Sequence, residues 1–326
     1  MKELLNKIKA AKQILLSTHR APDGDGFGAE VALYHALIKL NKKVHLLHVD
    51  EPAFKYNFLR KKVRLDVFSN ESQPEASETD LILVFDTNDG RMLPGLWNWV
   101  TENKIQFAFI DHHPFLEDAP NIGELSFINT DAASTGEIVY SMIKDLEVEM
   151  DENIAEALYT SVCFDTQLFR YVKSSAISHA IAAEVIPYID EPESIHDHLF
   201  GNIPIEKFRF LAYCTNKIEF HFNNQFAYLE ITDEDLIRFN MSSEDTRDLT
   251  DHILGVDSVE ISLVVIPAEG GKKLSIRSKK PLRVLELAKL WNGGGHLYAS
   301  GAYIPADSKS LANLKKDLLS EIKKLL

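Results

Sequence analysis

Short apolar runs rich in β-branched and aromatic residues alternate with helical patterns through the first half of the chain, and this alternation limits the fold more than any other feature. Gln13–Thr18, Val44–Val49, Leu81–Thr87 and Gln106–His112 have the length and composition of strands. Ala29–Leu40, Thr135–Lys144 and Asn153–Val162 carry helical spacing instead. Strands separated by helices predict an α/β fold with a doubly wound, mainly parallel sheet. In such a sheet a ligand sits outside the carboxyl ends of the strands.

The texture changes around Tyr188–Ile205, where Pro187, Pro192 and Pro204 interrupt an acidic stretch. We therefore expect a first domain over residues 1–190, a linker over 191–210 and a smaller α/β domain over 211–326. In the latter, Phe226–Ile231, Ser258–Ile266 and Lys273–Ser278 predict strands and Leu311–Leu326 a closing helix. A chain of 326 residues, 45% hydrophobic and 26% charged, suffices for two cores. Two cysteines, Cys163 and Cys214, make no disulfide framework and fit a reducing compartment. No stretch reaches the roughly 20 apolar residues of a membrane span, and the mixed-charge N-terminus lacks a signal-peptide block. A cytoplasmic protein without a membrane partner is expected. A net charge of −14 argues against non-specific binding of duplex nucleic acid. It leaves room for a local anion site, and Lys272–Arg283 carries six cations and no acid.

Polar residues gather at the predicted strand ends. Asp111-His112-His113 closes the apolar run Gln106–Ile110, and burying even one unsatisfied polar group costs about 1–3 kcal/mol. The first strand is followed by His19, Asp23 and Asp25 on a Gly-rich turn. Helix capping accounts for one of those carboxylates, not for two and a histidine. Asp86 ends the strand Leu81–Phe85, and Asp165 follows an apolar helical approach. Capping or loop-fixing explains either of these alone. Together they exceed the needs of one metal ion and suit two divalent ions about 3.5–4 Å apart sharing a carboxylate. Oxygen and imidazole donors without thiolate favour Mn²⁺ or another hard-to-borderline ion over structural zinc. In the second domain, Gly293-Gly-Gly295-His296 permits close backbone approach, with N–H groups available to a phosphate.

In order, these segments resemble the DHH phosphoesterase family over nearly the whole chain. His19/Asp23/Asp25 are similar to its first motif, Asp86 to its second, Asp111-His112-His113 to its third and Asp165 to its fourth. Ser134-Thr-Gly-Glu137 and Phe169-Arg-Tyr171 look like flanking family sequence. Gly293–His296 resembles the signature of the C-terminal DHH-associated domain.

The resemblance implies that His19, Asp23 and Asp86 hold one Mn²⁺, and Asp25, Asp86, His112 and Asp165 the other, with Mg²⁺ or Co²⁺ as substitutes. Asp111 and His113 would be the catalytic pair, Asp111 orienting its neighbours and His113 facing the phosphate or leaving oxygen. Arg277, Ser278, Gly294, Gly295 and His296 would bind the substrate. A chain of only two domains is most similar to the oligoribonuclease and pAp-phosphatase branch, where pAp is 3′-phosphoadenosine 5′-phosphate. That implies short single-stranded RNA or nucleotide phosphates as substrates, and it admits a homodimer. The alternatives are a pyrophosphatase or exopolyphosphatase, a phosphodiesterase of linear or cyclic dinucleotides, and a nucleotide-binding sensor. Asn292 and Gln167 stand where many relatives have glycine, and Leu297-Tyr298 where a more polar pair is frequent.

Overall fold

The computed structural model describes all residues except 70–77, 116–121, 174, 202, 247 and 248, with residues 244 and 309–312 described by backbone alone. Two compact units divide the chain, Met1–Asn202 and Ile203–Leu326. The division falls inside the stretch expected as a linker, of which residue 202 lies outside the described residues.

The first unit has strands β1 (Gln13–Thr18), β2 (Lys43–His48), β3 (Leu65–Val67), β4 (Leu81–Phe85), β5 (Phe107–Asp111) and β6 (Phe127–Ile128). Its helices are α1 (Lys2–Ala10), α2 (Gly24–Lys39), α3 (Asn57–Arg60), α4 (Leu96–Glu102), α5 (Thr135–Asp145), α6 (Glu152–Asp165), α7 (Ile177–Val185) and α8 (Pro192–His196). The six strands form one sheet in the order β3-β2-β1-β4-β5-β6, with every pairing parallel. This is the doubly wound sheet expected from the alternation.

Alternate side chains divide its two faces. Ile14, Leu16, Leu83 and Ile110 enter the larger core, shared with α2, α5 and α6. Leu15, Ile82, Val84 and Phe109 enter the smaller one, shared with Trp99 and Val100 of α4. The chain winds outward in both directions from β1 and β4, so the switch point of the sheet lies between them. Register fixes what emerges there. Thr18 pairs with Phe85 and Phe85 with Ile110, which brings the chain segments after β1, β4 and β5 out at the same level.

The second unit contains strands β7 (Glu219–His221), β8 (Phe226–Glu230), β9 (Ile261–Ala268), β10 (Gly271–Ser278), β11 (Gly294–His296) and β12 (Ala299–Pro305). Its helices are α9 (Ile205–Lys217), α10 (Asp233–Phe239), α11 (Leu249–Leu254), α12 (Leu285–Lys289) and α13 (Lys309–Leu325). Its sheet runs β11-β12-β10-β9-β8-β7 and is antiparallel except between β8 and β9. Among the described residues, no helix is long and apolar enough to cross a membrane.

Candidate metal centre

The expected Gly-rich turn is much shorter than the sequence suggests. Asp23 is the N-cap of α2, its carboxylate accepting from the N–H groups of Asp25 (3.0 Å) and Gly26 (3.2 Å). Asp25 and Gly26 therefore lie in the first turn of a helix, not on a loop. Glycine is needed there for closeness, despite its poor helix propensity. A Cβ at Gly26 would lie 2.3 Å from the Thr18 hydroxyl, and one at Gly28 would lie 2.7 Å from the Ala157 carbonyl. Helix α2 thus lies directly against the sheet edge and against α6, whose last residue is Asp165.

Asp86 follows β4 in the left-handed backbone region, φ +60°, which aspartate adopts more readily than most residues. Its two carboxylate oxygens face different neighbours. Oδ2 lies 3.4 Å from His19 Nε2, and Oδ1 lies 3.6 Å from His112 Nε2. Around the first imidazole stands Asp23, 3.8 Å away. Around the second stand Asp25 at 3.5 Å and Asp165 at 3.2 Å. Three groups whose ligand-type atoms lie within 4.8 Å of one another result: His19/Asp23/Asp86, Asp25/His112/Asp165 and Asp86/His112/His113. All six residues expected as ligands are brought together.

The donor set fits divalent cations. Among the described residues, His112 Nε2 is buried without a hydrogen-bond partner, although three carboxylates surround it. Its other nitrogen, Nδ1, lies 3.2 Å from the Ala132 carbonyl; donating there would leave Nε2 with a lone pair for a cation. Electrostatics point the same way. Burial, together with the charges of Asp86 and Asp165, pushes Asp25 well above the usual carboxylate range. Burial also lifts Asp165 to about 6, with Asp86 and Asp23 adding to the shift against the opposing charge of His112. Asp86 is held low: burial alone would raise it, but His112 and His19 outweigh that. Burial disfavours protonation of the two imidazoles, yet the carboxylates raise His112 to about 9 and His19 to about 11. Carboxylates that penalise one another and compete for imidazole protons are relieved by a shared cation.

Asp111 plays a different part from its neighbours. It is fully buried, and its Oδ1 accepts from His112 N (2.8 Å), His113 N (3.1 Å) and His113 Nδ1 (2.9 Å). The His113 side chain remains 55% exposed, so the far side of its ring is open to a ligand.

Several supporting residues had no signal of their own in the sequence. The N-terminus of α5 points at Asp25, whose oxygens accept from Thr135 N (2.8 Å) and Gly136 N (3.3 Å) and from the Ser161 hydroxyl. The Thr135 hydroxyl donates to Asp86 Oδ1 at 3.1 Å. Ser134–Glu137 resembles family sequence without an assigned role, and Ser161 belongs to none of the motifs. His48 forms a fully buried pair with Glu30 at 2.6 Å. His196 and His198 do not converge on a metal-type cluster among the described residues: they stack on Tyr159 and Phe58.

In the second unit, Gly294–His296 is a short edge strand paired to β12, not the free loop that a glycine run suggests. All three residues are exposed. Gly295 has φ +130°, and its absent Cβ would meet the Ala299 carbonyl at 2.6 Å, so only glycine fits. The Ser278 hydroxyl is engaged by the Leu282 carbonyl at 2.5 Å. The basic stretch is partly neutralised: Lys272 pairs with Glu230, Lys279 bonds two carbonyls, and Arg277 lies 3.8 Å from Asp251. Asn292 and Gln167, where glycine was anticipated, both have positive φ, at +55° and +47°.

Comparison with known proteins places this geometry. Residues 13–162 match the N-terminal domain of the DHH family, and residues 223–326 match the DHHA1 domain. The chain is 28% identical to the probable bifunctional oligoribonuclease and PAP phosphatase NrnA of Streptococcus mutans, covering 100% of this chain and 98% of that one. It is 27% identical to the bifunctional oligoribonuclease and PAP phosphatase NrnA of Thermus thermophilus, covering 93% and 87%. Among solved structures, an exopolyphosphatase-related protein from Bacteroides fragilis superposes with a TM-score of 0.83 at 22% identity, covering 100% and 98%. That likeness establishes a common fold.

Proposed function

We propose that this chain, which belongs to the DHH family and carries a DHHA1 domain behind its DHH domain, is a two-cation phosphoesterase that hydrolyses short oligoribonucleotides to mononucleotides and removes a phosphate from pAp. The observation that carries this reading is Asp86, with one oxygen toward His19 and the other toward His112. His19, Asp23 and Asp86 would hold one ion, and Asp25, Asp86, His112 and Asp165 the other. Mn²⁺ suits the mixed oxygen and imidazole donors, with Mg²⁺ or Co²⁺ as substitutes. Bound there, divalent ions supply Lewis acidity toward phosphoryl oxygens and lower the pKa of water.

The chain's own residues do the rest. Asp111 keeps the proton of His113 on Nδ1, so that Nε2 faces the phosphate or the leaving oxygen. Thr135 and Ser161 hold Asp25 and Asp86 in place. In the DHHA1 domain, Arg277, Ser278, Gly294, Gly295 and His296 bind a terminal phosphate or nucleotide, which favours short single strands. The net charge of −14 speaks against duplex substrates. Cys163 and Cys214, both free and buried, suit a cytoplasmic enzyme. The substrates follow those in the names of the relatives that match across nearly their full length.

The test is to incubate the purified chain and Mn²⁺ with a diribonucleotide, pAp, a cyclic dinucleotide and pyrophosphate in parallel. Mononucleotides from the first and AMP with phosphate from the second are expected. Release from pyrophosphate alone would replace the reading with a pyrophosphatase.

A further inference from the structure

We propose that Asn88 is a positioning residue that locks the Asp111–His113 pair and so fixes which nitrogen His113 presents to substrate. What that nitrogen does rests on the phosphoesterase reading; the lock itself does not. Asn88 lies two residues beyond Asp86, where the left-handed backbone of Asp86 redirects the chain. The Thr87 hydroxyl then accepts from Asp89 N–H at 3.2 Å, tightening the turn. This carries Asn88 over the end of β5 and buries it, with 4% of its surface exposed.

A turn-forming asparagine ordinarily spends its side chain on its own backbone two residues on. Asn88 does not. Its amide nitrogen donates to Asp111 Oδ2 at 2.7 Å and to the His113 carbonyl at 3.1 Å, 23 and 25 residues away. An ionised carboxylate only accepts, so the amide orientation is fixed: Nδ2 must face Asp111.

The consequence runs through Asp111. Its Oδ1 is committed to the N–H groups of His112 and His113 and to His113 Nδ1. Oδ2 has Asn88. With Asn88 in place the carboxylate cannot rotate to exchange its oxygens, and the 111–113 turn is held at both its side chain and its carbonyl. The proton of His113 then stays on Nδ1, and Nε2 is left as the free nitrogen on the exposed side of the ring. Without Asn88, a buried carboxylate oxygen loses its partner. Asp111 then keeps only the donors on Oδ1, its hold on His113 Nδ1 weakens, and the second tautomer of His113 gains population.

The experiment compares the full-length chain with Asn88→Ala and the near-isosteric Asn88→Leu, which keeps the volume and removes both donors. Three quantities are read: steady-state kinetics on a diribonucleotide, bound metal per chain, and the His113 tautomer from ¹⁵N-histidine NMR. The NMR spectra are assigned with His113→Gln. We expect kcat to fall about 10–100-fold, the range for residues that orient a site from behind. KM and bound metal should stay within about two-fold of wild type. The Nδ1–H signal of His113, dominant in the wild type, should give way to a tautomer mixture. If Asn88→Ala does not fold, Asn88→Leu carries the same reading. An unchanged tautomer in a folded variant would overturn the proposal whether or not the chain is active. Metal loss in proportion to kcat would also overturn it, by placing Asn88 behind the ligands and not behind His113. A wild type inactive on every phosphoester would refute the functional reading, while the tautomer still decides the lock.

Discussion

Asp86 takes a backbone conformation that strands avoid, and its carboxylate thereby comes to lie between two imidazoles that, among the described residues, share no other carboxylate within ion-pair distance. Replacing it with asparagine keeps the shape and removes the charge. Residues that merely orient metal ligands cost about 10–100-fold when lost. Asp86→Asn should therefore reduce phosphoesterase activity by more than about 100-fold, with the far-ultraviolet circular dichroism unchanged. His296→Ala should act differently, raising KM for a diribonucleotide while bound metal stays at the wild-type level. Unchanged kinetics would remove His296 from substrate binding. Gln167, at φ +47°, pays for a left-handed conformation that glycine adopts without penalty. Gln167→Gly should leave thermal stability level or raise it by about 1 kcal/mol.

Elements explain why some of the site was legible and some was not. Strands β1, β2, β4 and β5 were readable because each carries a short run of apolar residues, whereas β3 and β6, only three and two residues long, left no pattern. β1 runs Gln13–Thr18, as the pattern predicts, and the polar residues that end β4 and β5 announce themselves by contrast. Helix α2 was misjudged at its start because Gly24, Gly26 and Gly28 are poor helix formers. Their purpose is tertiary: they let α2 lie against the sheet edge and α6, which no local pattern reveals. Gly28→Ala should accordingly cost about 1–3 kcal/mol in denaturant unfolding, through overpacking against Ala157. Ser161 and Asn88 were invisible for the same reason, since their partners lie 136 and 23 residues away.

In the second unit, Asp235 joins α10 to α9, accepting from Tyr213 (2.6 Å), Lys217 (2.5 Å) and Thr232 N–H (2.9 Å). Burial alone would raise its pKa, but Lys217, Tyr213 and Thr232 together lower it to about 2. An acid held below its unfolded value of about 3.9 stabilises the fold above that pH, and the contribution fades as pH falls through about 2. Asp235→Asn should therefore cost about 1–2 kcal/mol at pH 7, with the gap to wild type closing between about pH 4 and pH 2. A gap independent of pH would mean that packing, not charge, is what Asp235 contributes.

For the whole molecule, a cation that binds the folded chain and not the unfolded one raises thermal stability, by about 2.7 kcal/mol at a hundred-fold excess over its Kd. Burial and like charges raise Asp25 and lift Asp165 to about 6, so the folded chain holds protons there more tightly than the unfolded chain does. Without cation, that part of the stability fades as pH rises through about 6. A cation must displace those protons, and those on His112, before it binds. The gain in Tm on adding Mg²⁺ should then be larger at pH 8 than at pH 5, and EDTA should abolish it.

The two-cation site is tested most directly by measuring diribonucleotide hydrolysis by the wild-type chain and by Asp86→Asn, each with Mn²⁺ and again after EDTA, with bound metal counted in parallel. Two ions per wild-type chain are expected, with turnover that EDTA stops and Mn²⁺ restores, and near-complete loss of both metal and turnover in Asp86→Asn. Full turnover by Asp86→Asn, or turnover by the wild type that persists in EDTA, would contradict a two-cation site.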